Sequence, residues 1–387
     1  MKSSTNSIYL LFILGALMAV TSLSTDIYLP AMPQMEADLQ GNVELTITGF
    51  LIGFTIAQLV WGAISDRIGR KIPLYIGMVL FIIGSAGCAM SETITQIVFW
   101  RVFQALGACT APMLSRAMVR DMFGATQAAQ MLSTLTLIMA IAPIIGPLVG
   151  GQIVKFSSWH AIFWLLVAIG IVLFFSLFAL QETHPTHKRT SGSIWATFRT
   201  YGTLLTNRTF MKYTLCVTFF YVAAYAFIAG SPGIYINYFG VAPQYYGYLF
   251  GINIIGIMLL SFFNRKLVHK FSLDQLLKIS TSVAMLAGFA LFIIALTGFG
   301  GMAGIVICVF VMFSMNGIIA ACATAAALDG VPKVAGSASA LIGALQYGSG
   351  IISTLVLAWI GNDTPVTMAA IMAVFGLLCA MVVYKRA

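Results

Sequence analysis

The chain has 387 residues, 60% of them hydrophobic and only 8% charged, with 20 Lys and Arg against 11 Asp and Glu. Soluble globular domains carry roughly 25% charged residues, so a chain with a mean hydropathy of +0.97 lacks the polar surface to face water on all sides. The net charge of +9 is dispersed over loops without stacking aromatics between the basic residues, which argues against a nucleic-acid partner.

In chain order the apolar residues form twelve runs: Ile8–Leu29, Leu45–Ser65, Pro73–Met90, Thr95–Met118, Ala128–Ile153, Trp159–Leu180, Tyr213–Ile236, Tyr246–Phe263, Leu276–Leu296, Ala303–Leu328, Ala338–Ile360 and Thr367–Tyr384. Each is near the roughly 20 residues a spanning helix needs. None alternates with the period of a barrel strand, and a helix satisfies its own backbone in hydrocarbon. The prediction is an all-α membrane protein of twelve transmembrane helices. The first run is too long for a signal-peptide core and is followed by eleven similar segments, so it reads as a retained span. Numbering the connections from the N-terminus, the even-numbered side holds 18 of the 20 basic residues, from Lys2 through Arg70 and Lys71 to Lys385 and Arg386. Positive loops stay cytoplasmic, so both termini are expected inside a multi-pass protein of the cytoplasmic (inner) membrane.

The first run ends in Ser24-Thr25-Asp26-Ile27-Tyr28-Leu29-Pro30. Apart from Arg116 and Lys278 within three residues of a run's end, Asp26 and Arg101 are the charges within the runs, and an intramembrane charge is by default a functional-site hypothesis. Asp26 lies roughly 27 Å along a helix from the inner end, and Arg101 roughly 9 Å below the outer surface. The two are therefore at similar depth and could pair. Asp26 could equally cap the loop at Pro30, and Arg101 could serve a helix end or a carbonyl.

After the second run comes Gly62-Ala-Ile-Ser-Asp66-Arg67-Ile-Gly69-Arg70-Lys71. Its glycines permit close helix approach, and Asp66 can meet a cation or a helix N-terminus. The fourth run carries Arg101-Val-Phe-Gln104 and ends near Arg116 and Arg120-Asp121. The fifth contains Pro143, Gly146, Pro147, Gly150 and Gly151, where proline removes helix hydrogen bonds and small residues admit a neighbour.

A polar interruption, Gln181–Lys212, separates six runs from six, with an amphipathic stretch at Ile194–Leu205 suited to the membrane surface. The predicted organisation is an N-terminal six-helix bundle at 1–181, a cytoplasmic linker at 182–212 and a C-terminal bundle at 213–387. The halves look like faint copies. Gly53 precedes Asp66-Arg67 by thirteen residues and Gly251 precedes Asn264-Arg265 by thirteen, the pattern of a duplicated transporter unit. His184 and His187 in the linker read as solvated loop residues. The six cysteines all fall within runs and form no CxxC or Cys/His cluster, so neither metal nor other cofactor is expected. No GxxxxGK[ST] phosphate loop and no nucleophile–base constellation occurs, so the chain is not expected to be an enzyme.

The second-half runs lack charge in their cores but contain Tyr221, Tyr225, Asn253, Asn316 and Gln346. With Tyr28 and Gln104 these are the candidates for a substrate cavity, although polar residues of this kind also serve as contacts between helices.

The loop from Gly62 to Lys71, the Asp26–Pro33 segment, the Arg101–Gly107 segment, the Pro143–Gly151 segment and Gly336-Ser-Ala-Ser-Ala-Leu341 together resemble the major facilitator superfamily. More narrowly, they are similar to its bicyclomycin/chloramphenicol-resistance branch of twelve-helix drug–proton antiporters. The resemblance implies two pseudo-symmetric six-helix bundles, alternating access, and proton-coupled efflux of small amphiphilic drugs or metabolites by a monomer. It implies proton coupling at Arg101, with Asp26 beside it. It also implies a gating loop at Gly62, Asp66, Arg67, Gly69 and Arg70, and an antiporter segment at Pro143, Gly146, Pro147, Gly150 and Gly151. Small-molecule substrate, protons and membrane lipid are the implied partners. Two positions depart from the branch: His160 stands where an arginine is frequent, and the second loop copy, Asn264-Arg265, lacks the acid. A dedicated exporter of one endogenous metabolite, or a membrane sensor with the same fold, would share these features.

Overall fold

The computed structural model describes residues 2–189 and 194–385, and the regular elements among them are all helical. Among the described residues twelve helices are long and apolar enough to cross a membrane. They are α1 (Leu10–Leu39), α2 (Leu45–Ile68), α3 (Lys71–Ala89), α4 (Ile94–Met122), α5 (Thr126–Phe156), α6 (Trp159–Ala179), α7 (Arg208–Tyr238), α8 (Pro243–Leu267), α9 (Leu273–Thr297), α10 (Gly301–Asp329), α11 (Ala335–Ile360) and α12 (Pro365–Tyr384). A short helix, Ile194–Thr206, lies between α6 and α7, at the predicted amphipathic stretch. Large apolar side chains stand outward, as with Trp359 at 93% exposure, which suits a lipid solvent rather than water.

The chain divides into two compact units, Met1–Gly41 with Gly49–Ala196, and Asn42–Thr48 with Thr197–Ala387. In the first, α3 packs along α6, and α1 packs along α5 and the second part of α4. In the second, α9 packs along α12, and α7 along α11 and the second part of α10. The same three pairings recur at the same positions of each unit, so the faint sequence repeat is a repeat of architecture.

Several runs that hydropathy reads as continuous are broken inside. The regular helix of α1 stops at Asp26, a 3₁₀ turn covers Leu29–Ala31, and Met32–Leu39 completes the span. Pro30 and Pro33 supply no amide hydrogen here, so the ladder cannot run through. α4 is interrupted at Cys109, between Ile94–Ala108 and Thr110–Met122. Pro112 cannot donate to the carbonyl four residues before it. That acceptor, Ala108 O, takes a hydrogen bond from Thr21 Oγ1 at 3.0 Å instead. α7 changes to a π-helix over Gly233–Tyr238 just after Pro232, and Asn362 Nδ2 donates to Gly230 O at 2.8 Å beside the change. α5 behaves differently. It runs as one helix, Ala125–Phe156, through both Pro143 and Pro147.

Candidate transport site

The first unit gathers its buried polar groups where α1 loses regular helix. Thr93 caps the start of α4, its side chain accepting from the Gln96 amide. From that start Ile97, Arg101, Gln104, Ala105 and Ala108 fall on one buried stripe, the spacing of a single helix face. Arg101 is fully buried. Its Nη1 donates to Ser24 O at 2.9 Å and to Gln104 Oε1 at 2.5 Å, and Gln104 Nε2 donates to Ser85 Oγ on α3 at 2.8 Å. The guanidinium carbon stands 4.5 Å from the ring centres of both Tyr28 and Phe50. A flat, weakly hydrated cation suits such surroundings better than an ammonium does.

Asp26 is buried, and its Oδ1 accepts from the Thr25 hydroxyl at 3.0 Å. Arg101 reaches α1 through the Ser24 carbonyl, two residues before the acid. The expected meeting of these two charges thus runs through the end of the α1 helix. The fifth span closes on the same point. A methyl at Gly146 would lie 3.3 Å from Ile27 N and 3.5 Å from Asp26 Cβ, and one at Gly150 would strike the Ile27 carbonyl oxygen. Gly151 and Pro147 are buried nearby in sequence, and Pro143 is half-buried.

The loop between α2 and α3 forms a second polar cluster. Gly69 turns the chain with φ +98°, a conformation that disfavours a side chain. Arg70 donates to Asp66 Oδ1 at 2.6 Å, Ser65 Oγ at 2.8 Å and Asp121 Oδ2 at 2.9 Å. Glu182, just past α6, accepts from the backbone N–H of Arg70 at 2.9 Å and Lys71 at 3.0 Å, covering the orphan donors at the start of α3. Burial works against charge on Arg70, yet Asp121 and Asp66 outweigh it and hold the guanidinium above its ordinary value. Partial burial likewise pushes the Glu182 carboxyl up. Donation from the main chain of Arg70, Lys71 and His184, with the Arg189 charge, outweighs burial and holds Glu182 below the usual carboxylate range. Arg67 is half-buried outside these bonds, and Gly62 has open space where a side chain would stand.

His184 corrects an expectation. Rather than a solvated loop residue, it is partly buried in this cluster, with Nδ1 3.9 Å from Asp121 Oδ2 and its amide donating to Glu182. The chain just past α6 folds back onto the α2–α3 loop, which the polarity of the linker does not reveal. His187 is exposed, as expected. His160 stacks on Trp159 with ring centres 3.6 Å apart.

In the second unit four of the five candidates take part in two kinds of contact. Asn316 Nδ2 approaches Tyr221 OH at 3.4 Å, and Gln346 also interacts with that hydroxyl. The Tyr225 ring stands 6.3 Å from Tyr221 and 6.4 Å from Tyr347. Asn253 is turned onto its own helix, donating to Leu249 O at 3.1 Å. Sequence reading missed Ser24, Phe50, Ser85, Tyr347 and Glu182. Only Glu182 carried a signal, as one of few acids on the basic side of the chain. Among the described residues no cluster of His, Cys, Asp or Glu could hold a metal.

Residues 14–354 match the Major Facilitator Superfamily, and the chain belongs to that family: it is a multi-pass membrane transport protein. Among its relatives, an uncharacterized MFS-type transporter, YdgK, of Bacillus subtilis is 37% identical over 375 residues, 94% of this chain and 92% of that one. The bicyclomycin resistance protein homolog of Haemophilus influenzae is 29% identical over 374 residues, 95% of this chain and 93% of that one. These relatives fit the bicyclomycin/chloramphenicol-resistance branch. The xylose transporter XylE from E. coli, in a partially occluded inward-open conformation, shares the fold, with a TM-score of 0.76 at 14% identity over 98% of this chain and 97% of that one.

Proposed function

We propose that this protein exports small amphiphilic drugs or metabolites by exchange with protons, working as a monomer in the cytoplasmic (inner) membrane with both termini inside. The observation that carries the reading is Arg101, a fully buried cation bonded to the main chain beside Asp26, where α1 unwinds and Gly146 and Gly150 of α5 close in. A charge held at such depth is costly without a task. Exchange requires that proton and cargo favour opposite states of one site. On this reading Asp26 takes and releases the proton. A change at the carboxylate shifts the end of α1, and the Ser24 contact carries that shift to Arg101. Tyr28 and Gln104 in the first half, and Tyr221, Tyr225, Asn316 and Gln346 in the second, meet the cargo, with Asn253 in support. Residues 1–181 and 213–387 act as the two halves, joined by 182–212, and the Asp66–Arg70 cluster serves the gate.

The names of the relatives point to drug efflux, bicyclomycin resistance among them. The reading is tested in reconstituted vesicles with an imposed pH gradient and a drug panel that includes bicyclomycin. Gradient-driven transport should be lost in both Arg101→Ala and Asp26→Asn. Wild-type transport that ignored the gradient would favour a uniporter. A second reading, a dedicated exporter of one metabolite, would show as transport of a single compound from the panel.

A further inference from the structure

The outer face of α3 and α6 carries a groove of about 500 Å³ lined by Tyr75, Ile76, Val79, Leu80, Phe174 and Phe178, with no polar lining. That volume lies in the ~300–1,000 Å³ range of small-molecule sites. Its walls are built from side chains that point away from the protein: Ile76, Val79 and Phe178 are 44%, 40% and 64% exposed. Tyr75 meets Phe174 and Phe178 with ring centres 5.4 Å apart in both pairs, which keeps the cleft between the two helices shaped rather than collapsed.

One end of the groove is charged. Lys71 opens α3 one helical turn before Tyr75, and its Nζ stands 5.8 Å from the Tyr75 ring centre. Lys71, at the start of the span, thus sets its ammonium beside the Tyr75 wall of the groove. Among the described residues no carboxylate forms an ion pair with it. Glu182 accepts from the Lys71 and Arg70 backbone amides, with the Arg189 charge beside it. The second unit offers a contrast. There Lys278 on α9 lies over the Tyr384 ring of α12 at 6.0 Å, but its ammonium is met by Asp274 at 2.7 Å.

We propose that the α3–α6 groove is a seat for one anionic phospholipid of the leaflet on the Lys71 side. An acyl chain fills the apolar cleft over Val79 and Leu80, and the headgroup phosphate pairs with the Lys71 ammonium. An apolar channel ending in an unanswered cation at the interface matches an anionic lipid in both shape and charge. A zwitterionic lipid satisfies only the first half of the match. The contribution of Lys71 is the headgroup preference, and that of the groove is retention of the chain.

Native mass spectrometry of the full-length protein, delipidated in detergent, reads this directly. The titrant is an equimolar mixture of phosphatidylglycerol and phosphatidylcholine with identical acyl chains. Wild-type protein should retain one phosphatidylglycerol with about fivefold preference, equivalent to ~1 kcal/mol for one basic side chain against an anionic headgroup. Lys71→Gln should still retain lipid but without preference, Lys71→Arg should keep the preference, and Val79→Trp should lose retained lipid of both kinds. Equal retention of the two lipids by wild type overturns the proposal, as does an undiminished preference in Lys71→Gln. Displacement of the lipid by inorganic phosphate alone, or a lipid-free dimer that Val79→Trp abolishes, would also overturn it. If Val79→Trp does not fold, the two Lys71 variants decide the matter by themselves.

Discussion

A buried guanidinium is tolerated in this fold because two aromatic rings lie beside it and its Nη1 donates to two oxygens. Arg101 has rings of Tyr28 and Phe50 at 4.5 Å and oxygens of Ser24 and Gln104 within hydrogen-bond reach. A lysine would keep the charge but lose the planar fork. Arg101→Lys should therefore lower transport at least about tenfold, consistent with losing one charged hydrogen bond of ~1.5–3 kcal/mol, as read from initial efflux rates. Efflux at wild-type rate in that variant would show that only charge is needed. Gly150 offers a steric test. Because a methyl there would strike the Ile27 carbonyl, Gly150→Ala should destabilise by about 1–3 kcal/mol as overpacking does, while Gly146→Ala should be milder. Matched thermal unfolding of the two variants checks the order. At this scale the sequence made Asp26 and Arg101 stand out, because a charge in an apolar run is conspicuous. Phe50 and Ser85 were invisible: a phenylalanine in an apolar run looks the same whether it faces lipid or a guanidinium.

In α1, α4 and α7 the helix changes beside a proline that withholds a donor, and side chains from neighbouring helices take up freed carbonyls at two of these places. Thr21 donating to Ala108 O is one such repair. Thr21→Val should cost about 1 kcal/mol, within the range for polar contacts between membrane helices, and Thr21→Ser should restore it; equilibrium unfolding in bicelles reads both. The twelve runs were legible because each is long and apolar, yet the internal breaks of α1, α4, α7, α10 and α11 were not, since hydropathy averages over an interruption of one to six residues. The cluster at the start of α3 was half legible. Its Asp66 and Arg70 lie four residues apart, but Glu182 arrives from more than a hundred residues away. Held below the ordinary carboxylate range, Glu182 stabilises the folded chain above the unfolded carboxyl value of ~4.3. That contribution is lost as pH falls through its lower folded value. Glu182→Gln should thus melt lower than wild type at neutral pH, with the gap closing on acidification. A gap that persists at the acid end would mean that the carboxylate charge is not what caps α3.

The two units share three helix pairings and differ in charge. The first holds Asp26, Arg101 and the Asp66–Arg70–Glu182 cluster, whereas the second offers Tyr221, Tyr225, Asn316 and Gln346, with its charges near the ends of its spans. On the proposed function, proton handling falls to the first half, and cargo contact is shared between Tyr28 and Gln104 there and the aromatic and amide groups of the second. The class of protein was legible from composition together with the signature loop. The cargo was not, because the side chains that would meet it are uncharged and common in any membrane helix. The central claim is that Asp26 and Arg101 couple cargo movement to protons. Its most direct measurement is cargo-induced proton release from detergent-solubilised protein, followed with a pH indicator as a transported drug is added. The account predicts release by wild type and none by Asp26→Asn, with drug binding retained. Equal proton release from both would contradict it.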